Sequence, residues 1–534
     1  MEKMAHFIPL KVPKNGWLGL IKEKLFSINS LIVFLILALA SFLRLYRISD
    51  YITFLGDEGR DVLVVKHILE GDLTLLGPRA SAGDFFLGPI YYYFMAPFLW
   101  IFNYDPVGPA VMVALAGVIT VFFVYWIGKE FFSQNAGLFA SALYAVSPLV
   151  LAFSRSSWNP NLMPITTLLM LYILYKALTH NSNKLFIIVG ILYGIAMQLH
   201  YIEVFLAPII FLFVLIGKFL VVHKHKIKSL VLNYLSIALG FIIGWSPFLA
   251  FEVLHGYPNL RAISSFIFGS TDQGHVGNTF FGVITEVFFR VFGRLIYRFP
   301  LQEQVPSIER LESLPWQAAV LITAIISIVL LFKNKNKLVI LLCILWLGLG
   351  IFLFGYYKKP IYDYYFQFLF PLPFLLLGNV LSTIYSINIL RPLTKILVTV
   401  FVVWLIYFNL LGAPFNYEAN KQKEQMKSIS EFVLSKTDGK PFNFALITPG
   451  NSDHAYRYYF ELAGRSPVTV LTLAEDPERN SVTDQLLIVC EVPNCKPHGN
   501  SLWEVAGFGR GEIEGKWKVS VVDVYKIRHY TGVE

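Results

Sequence analysis

Between residues 56 and 61 the chain reads GDEGRD, which sets Asp57, Glu58, Arg60 and Asp61 within five positions. A carboxylate flanked by like and opposite charges is equipped to take up a proton and release it again, the task of a general base. The same pair, Asp57 and Glu58, is where a single Mg²⁺ or Mn²⁺ would be held. The sequence leaves open whether a metal is used, and no two-metal cluster is evident in it. A solvated turn is the plainer reading of the motif.

Further polar residues stand beside long apolar runs. They are Arg79 and Asp84; Arg155, Trp158 and Asn159; His200, Tyr201 and Glu203; and Lys358, Lys359, Tyr362 and Asp363. Ionisable groups at membrane depth are costly and tend to mark functional sites. Arg155, Lys358 and Lys359 have the chemistry to hold a phosphate. Arg60, Asp61, Asp84, Asn159, His200, Tyr201, Glu203, Tyr362 and Asp363 would line the same cavity, the aromatics stacking on a sugar or a lipid. The plainer alternatives are headgroup anchoring for Arg155 and for the lysine pair, and core packing for His200. Arg44 and Arg47 read as snorkelling side chains. Arg290, Arg294 and Arg298, spaced four apart, read as one basic stripe on an interfacial helix.

The elements that must position these residues are apolar. The chain has 534 residues, 56% hydrophobic, 16% aromatic and 15% charged, with mean hydropathy +0.59. Ordinary globular chains carry roughly 25% charged residues, so the composition implies a polytopic α-helical membrane protein. About eleven spans are expected, near 29–46, 107–127, 135–153, 161–178, 184–200, 202–221, 229–251, 316–333, 337–355, 361–383 and 393–411. The net charge of +9 fits lysines and arginines against anionic headgroups and gives no reason to expect a nucleic-acid partner.

Residues 87–102 carry three consecutive tyrosines and two prolines. If they do not cross, the N-terminus, Lys129, Lys184, residues 223–228, residues 333–337 and Arg391 with Lys395 all fall on one side, as the positive-inside rule requires. They are therefore expected to form an interfacial helix within a first outer loop, 47–106. A second large outer loop covers 252–315. The transmembrane core is 1–412, with a cytoplasmic N-terminus in the plasma membrane. Residues 413–534 form a small extracytoplasmic α/β domain. That domain begins with an amphipathic helix bearing Met426, Ile429, Phe432 and Val433 on one face. Strands follow at FNFALIT, PVTVLT, DQLLIVC and WKVSVVDVYKI. It is expected to be separable from the chemistry and to recognise an acceptor or partner. Of three cysteines, Cys343 lies in an apolar run, whereas Cys490 and Cys495 are close enough for a disulfide in an oxidising compartment.

Taken in order, GDEGRD (56–61), LGPIYYYFMAP (87–97), SPLVLAFSRSSWNPN (147–161) and KKPIYDYYFQFLFPLPFLLLG (358–378) resemble the C-type polytopic glycosyltransferase superfamily. Its members include protein O-mannosyltransferases and the lipid A aminoarabinose transferases. The resemblance implies a sugar donor linked to polyprenyl phosphate and a lipid, glycan or protein acceptor. It implies transfer at the outer face, with Asp57 as the catalytic carboxylate and Glu58 as its partner. Arg155, Lys358 and Lys359 would then contact the donor phosphate. The chain departs from the family pattern at Leu87-Gly88-Pro89, where the mannosyltransferases have His-Pro-Pro and the aminoarabinose enzymes Lys-Pro-Pro. The rival readings are a transporter or flippase of lipid-linked sugars, which would show repeat symmetry and mid-membrane charge, and a carbohydrate-binding membrane protein with a degenerate core.

Overall fold

The computed structural model describes residues 28–80, 83–221, 227–268, 279–298, 314–357, 360–388 and 391–532. Lys358 and Lys359, both expected at the phosphate, lie outside the described residues, as do most of residues 223–228 and the N-terminal lysines.

Eight described helices are long and apolar enough to cross a membrane, or nine if a bent pair counts as one span. The expected run at 361–383 is that bent pair, a 3₁₀ turn Asp363–Leu369 and a helix Pro371–Tyr385 meeting at 54°. Pro371 lacks the N–H that would carry the upstream turn into the helix. The expected span at 135–153 is likewise divided into Gln134–Val146 and Pro148–Phe153, because the residue before a proline is pushed out of helical geometry. The run at 184–200 is a shorter helix, Asn183–Leu199. Two of the eleven expected runs are thus shorter than a full span among the described residues.

Residues 90–101 form a 12-residue helix. At about 1.5 Å per residue it reaches roughly 18 Å, well short of a hydrocarbon core of about 30 Å. It turns Tyr91, Tyr92, Met95, Ala96 and Leu99 into the protein.

Close helix contacts are made where side chains are smallest. On Asn183–Leu199, Gly190 and Gly194 face Gly240 and Gly244 of the helix Ile227–Gly244. A Cβ on Gly190 would lie 2.0 Å from the Ile237 carbonyl, and one on Gly240 would lie 2.0 Å from that of Ile187. Small residues four apart let two backbones approach to van der Waals contact, which drives association where lipid supplies no hydrophobic gain.

The C-terminal part carries a four-stranded sheet ordered β1-β2-β4-β3, with β1 Asn443–Ile447, β2 Gln485–Cys490, β3 Gly511–Val519 and β4 Val522–His529. β1 and β2 are parallel, and the other pairs are antiparallel. The expected amphipathic helix is Gln422–Ser435, burying Met426, Ile429 and Val433. Phe432 lies against Trp517. Two strand expectations change. PVTVLT is not a strand; Val468 makes only an isolated bridge to Asn443. WKVSVVDVYKI is a hairpin that turns at Ser520, whose φ is +53°. Cys490 and Cys495 are joined in a disulfide, while Cys343 is free and buried.

Candidate active site

Asp57 lies in the first turn of the helix Gly56–Leu69. Carboxylates belong there, because the free N–H groups and the helix dipole favour negative charge. The two acidic neighbours at the helix start differ in role. Glu58 turns back and accepts from the Leu55 N–H at 3.1 Å, capping its own helix. Asp57 stays open to solvent, its side chain 61% exposed, and meets Arg60 Nη1 at 2.9 Å. Arg60 spans to a third carboxylate. Its Nη2 and Nε donate to Asp61 Oδ1 at 2.8 and 3.0 Å, and Tyr92 Oη donates to the same oxygen at 3.2 Å. The other Asp61 oxygen is buried and has no partner. Burial pushes the Glu58 carboxyl up to about 7. It pushes Asp61 up to about 6 against the opposing pull of Arg60.

Asp57 borders two cavities. The smaller, about 50 Å³, draws its wall from the ends of several elements: Arg60, Arg79, Trp158, Asn159, His200 and Tyr201 all reach it. Each is held by its neighbours. Asn159 donates its amide to the Leu199 carbonyl. His200 Nδ1 accepts from the Ile202 N–H at 3.2 Å, and its ring stacks on Tyr201 with centroids 4.5 Å apart. Tyr201 Oη lies 2.8 Å from Tyr357 Oη and 2.9 Å from Tyr365 Oη. Tyr364, absent from the sequence expectations, closes the wall against Trp158 at 4.3 Å between ring centroids.

The larger cavity, about 1020 Å³, opens on the other side of Asp57. One wall is Leu55, Phe153, Trp158 and Asn161; the opposite wall is the C-terminal part, including Gln425, Asn451, Ser452 and Glu491. This part, expected to be separable from the chemistry, is seated on the Asp57 helix. Asn451 Oδ1 accepts from the Gly56 N–H at 2.8 Å. A Cβ on Gly56 would lie 2.1 Å from Ser452 Oγ, and one on Gly59 would lie 2.3 Å from the Ala455 nitrogen. Both glycines of the motif are thus room for the C-terminal part. Phe54 packs on Tyr458 and Tyr459, and Glu461 meets His67 at 3.0 Å.

Several expected residues have other work. Arg155 is 2% exposed. Its Nη1 donates to the Leu43 and Arg44 carbonyls at 2.6 and 3.0 Å, and its Nη2 to that of Tyr46 at 2.7 Å. It satisfies the carbonyls at the end of the helix Ile28–Leu45 and lines neither cavity, away from the phosphate position expected of it. Arg44 does not snorkel: it is fully buried and donates to the Ala145 carbonyl at 3.1 Å. Arg47 pairs with Asp50 at 2.7 Å. Glu203 is fully buried beside Thr167 and does not line the cavities.

Asp363 is buried between Arg290, at 2.9 Å, and Arg294. Those two arginines, expected on an exposed stripe, are each 6% exposed. They sit on a π turn at Arg290–Arg294, which rotates successive side chains off a simple four-residue stripe. Tyr362 is half exposed and stacks on Tyr364. Asp84 is exposed and paired with Arg79. As a chelating pair Asp57 and Glu58 fit a cation poorly, since one Glu58 oxygen serves the helix start. Among the described residues no three His, Cys, Asp or Glu side chains gather as metal ligands.

Residues 87–251 match the family model described as dolichyl-phosphate-mannose-protein mannosyltransferase; the matched stretch begins after the GDEGRD motif. No curated protein sequence matches the chain. The fold is similar to that of ArnT from Cupriavidus metallidurans, in the apo state and bound to undecaprenyl phosphate. The TM-score is 0.62 in both cases, with 13% and 12% identity, over 94% of this chain and 98% of that one. It is also similar to the archaeal oligosaccharyltransferase AglB from Archaeoglobus fulgidus, in complex with an inhibitory peptide and a dolichol-phosphate. There the TM-score is 0.53, with 14% identity, over 87% of this chain and 70% of that one. The chain therefore shares the fold of ArnT over nearly its whole length.

Proposed function

We propose that the chain is a membrane glycosyltransferase that moves a sugar from a polyprenyl-phosphate-linked donor to an acceptor hydroxyl, at the outer face of the plasma membrane and with inversion. The observation that carries this reading is the position of Asp57, an open carboxylate on the shared border of two cavities in a chain of this fold. The cations Arg60 and Arg79 line the smaller cavity and replace Arg155 as the groups for the donor phosphate. Lys358 and Lys359 remain candidates by sequence. The larger cavity is left for the acceptor.

The chemistry needs one base and a cationic leaving-group site. Asp57 takes the proton of the acceptor hydroxyl as its oxygen bonds to the anomeric carbon. The bond from that carbon to the phosphate oxygen breaks, and the polyprenyl phosphate leaves with the electron pair. Guanidinium groups stabilise the charge that gathers on it. Attack opposite the leaving group inverts the centre. Asp61 and Tyr92 hold Arg60 in place. This demands less than glycoside hydrolysis, which needs a second carboxyl as acid or nucleophile, because a phosphate monoester leaves without prior protonation.

The test is incubation of the purified full chain with a panel of undecaprenyl-phosphate sugars, reading released undecaprenyl phosphate. Asp57→Asn should keep the fold and donor binding and lower turnover at least about a hundredfold, within the range of general-base contributions. If Asp57→Asn keeps near-normal transfer while Glu58→Gln loses it, the base is Glu58. If neither matters, the reaction proposed is wrong.

A further inference from the structure

The larger cavity has a charge pattern that bears on the acceptor. Among the described residues, three carboxyl groups line it, Asp57, Glu58 and Glu491, and no lysine or arginine does. The cationic groups stand on the other side of Asp57, in the smaller cavity. An anion entering the larger cavity would meet the Glu491 carboxylate and the exposed Asp57, whose cationic partner Arg60 lines the smaller cavity, and that like charge disfavours it.

Glu491 is fixed in place. Tyr456 Oη donates to its Oε1 at 2.8 Å, and Asn451 Nδ2 lies 3.1 and 3.2 Å from its two oxygens. Asn451 in turn accepts from Gly56, immediately before Asp57. A continuous set of hydrogen bonds therefore ties the Glu491 carboxylate to the start of the Asp57 helix. A carboxylate has about four acceptor positions, and three are used. What it still offers the cavity is an acceptor for a hydroxyl.

The backbone puts this pair where α/β sheets bind their ligands. Asn451 lies in the connection after β1, and Glu491 directly follows β2. These are the carboxyl ends of the two parallel strands, outside which open sheets of this kind form their ligand crevice. Gln425, Ser452 and Asn161 add further polar contacts. Trp158, Phe153 and Val521 give an apolar face of the sort on which a sugar ring lies.

We propose that the larger cavity binds an uncharged glycan as acceptor, with Glu491 and Asn451 as its specificity-determining contacts. This rests on the transferase reading. A phosphorylated acceptor is disfavoured by Glu491 and Asp57, and a peptide offers fewer hydroxyls to so many polar side chains.

The test uses the purified full chain and two separate readings. Binding of undecaprenyl phosphate checks the transferase reading. Binding of mannotriose, galactotriose and chitotriose is measured by saturation-transfer NMR and titration. Each is run beside a singly phosphorylated counterpart and beside a peptide containing Ser and Thr. At least one neutral trisaccharide should bind saturably, with its phosphorylated counterpart at least about tenfold weaker. Glu491→Gln should weaken it about tenfold, leaving undecaprenyl phosphate affinity and the thermal midpoint unchanged; Asn451→Ala should weaken it by a similar factor and, because it also releases the Gly56 N–H, lower the thermal midpoint. A variant that fails to fold is set aside in favour of the other. Preference for the phosphorylated sugar or the peptide overturns the inference. So does failure of every neutral trisaccharide to bind, or indifference to both substitutions. Loss of undecaprenyl phosphate binding in the parent chain would instead remove the reading on which the inference rests.

Discussion

Gly59→Ala tests whether the C-terminal part is seated on the Asp57 helix. Gly59 lies inside the helix Gly56–Leu69, where alanine is ordinarily the better residue by about 1 kcal/mol. Considered alone, the helix predicts that the substitution stabilises. The tertiary structure predicts the reverse. The added methyl would sit 2.3 Å from the Ala455 nitrogen and 2.5 Å from its Cα. Those are backbone atoms of the helix His454–Leu462, and they cannot rotate out of the way. Reaching ordinary contact requires the two helices to part by about 1 Å or more, which would also stretch the 2.8 Å bond from Gly56 to Asn451. Overpacking costs about 1–3 kcal/mol, and a backbone obstacle puts this case at the upper end. After the helix gain is subtracted, a loss of about 1–2 kcal/mol remains. The control is Gly348→Ala in the helix Lys337–Phe352, where the new methyl meets nothing within 4 Å and stability should hold or rise. Thermal unfolding of the purified chain, with limited proteolysis around residues 413–421, reads both. If Gly59→Ala is as stable as Gly348→Ala and no more open to proteolysis, the C-terminal part does not rest on this helix, and the larger cavity loses its wall.

Arg155→Ala should act on stability rather than on the donor. It strips a buried guanidinium from three carbonyls. Charge-assisted hydrogen bonds are worth about 1.5–3 kcal/mol each, so a loss of about 3 kcal/mol or more is expected by thermal unfolding, with undecaprenyl phosphate affinity of the folded fraction unchanged. A tenfold affinity loss at constant stability would return Arg155 to the phosphate. Glu58 gives a pH signature. Burial raises its folded pKa to about 7, so between the unfolded value near 4.5 and pH 7 the folded state holds the extra proton. Stability from this group is present at low pH and falls as pH rises through that interval. Glu58→Gln keeps an acceptor for the Leu55 N–H and removes the titration. Its thermal midpoint relative to the parent should therefore rise from pH 5 to pH 8; a flat difference would mean that Glu58 is solvated.

Residue type and hydropathy alone determined that this chain is a polytopic helical membrane protein, that residues 87–102 do not make a span, that an α/β part follows the last apolar run, and that GDEGRD is the motif to watch. Each rests on composition and pattern: an apolar run must be shielded, lysines and arginines gather on one side of the membrane, and alternating apolar residues pair as strands. The two carboxylates at the head of the motif look equivalent in one dimension. The resemblance favours Asp57, and the fold supplies the physical difference, turning Glu58 back to cap the helix and leaving Asp57 open between two cavities. Arg155 could not be assigned from sequence either, since an arginine near a span end can serve a phosphate or a helix terminus. The carbonyls that claim it come from residues more than a hundred positions away. The same holds for Asp363, whose arginine partners lie 69 and 73 positions upstream, and for Asn451 and Glu491. Those two reach the site because a parallel strand pair aims its carboxyl ends at the Asp57 helix, and two glycines leave room for it to dock. Burial and long-range pairing decide which charges are structural and which are free for chemistry, and both are properties of the packed chain.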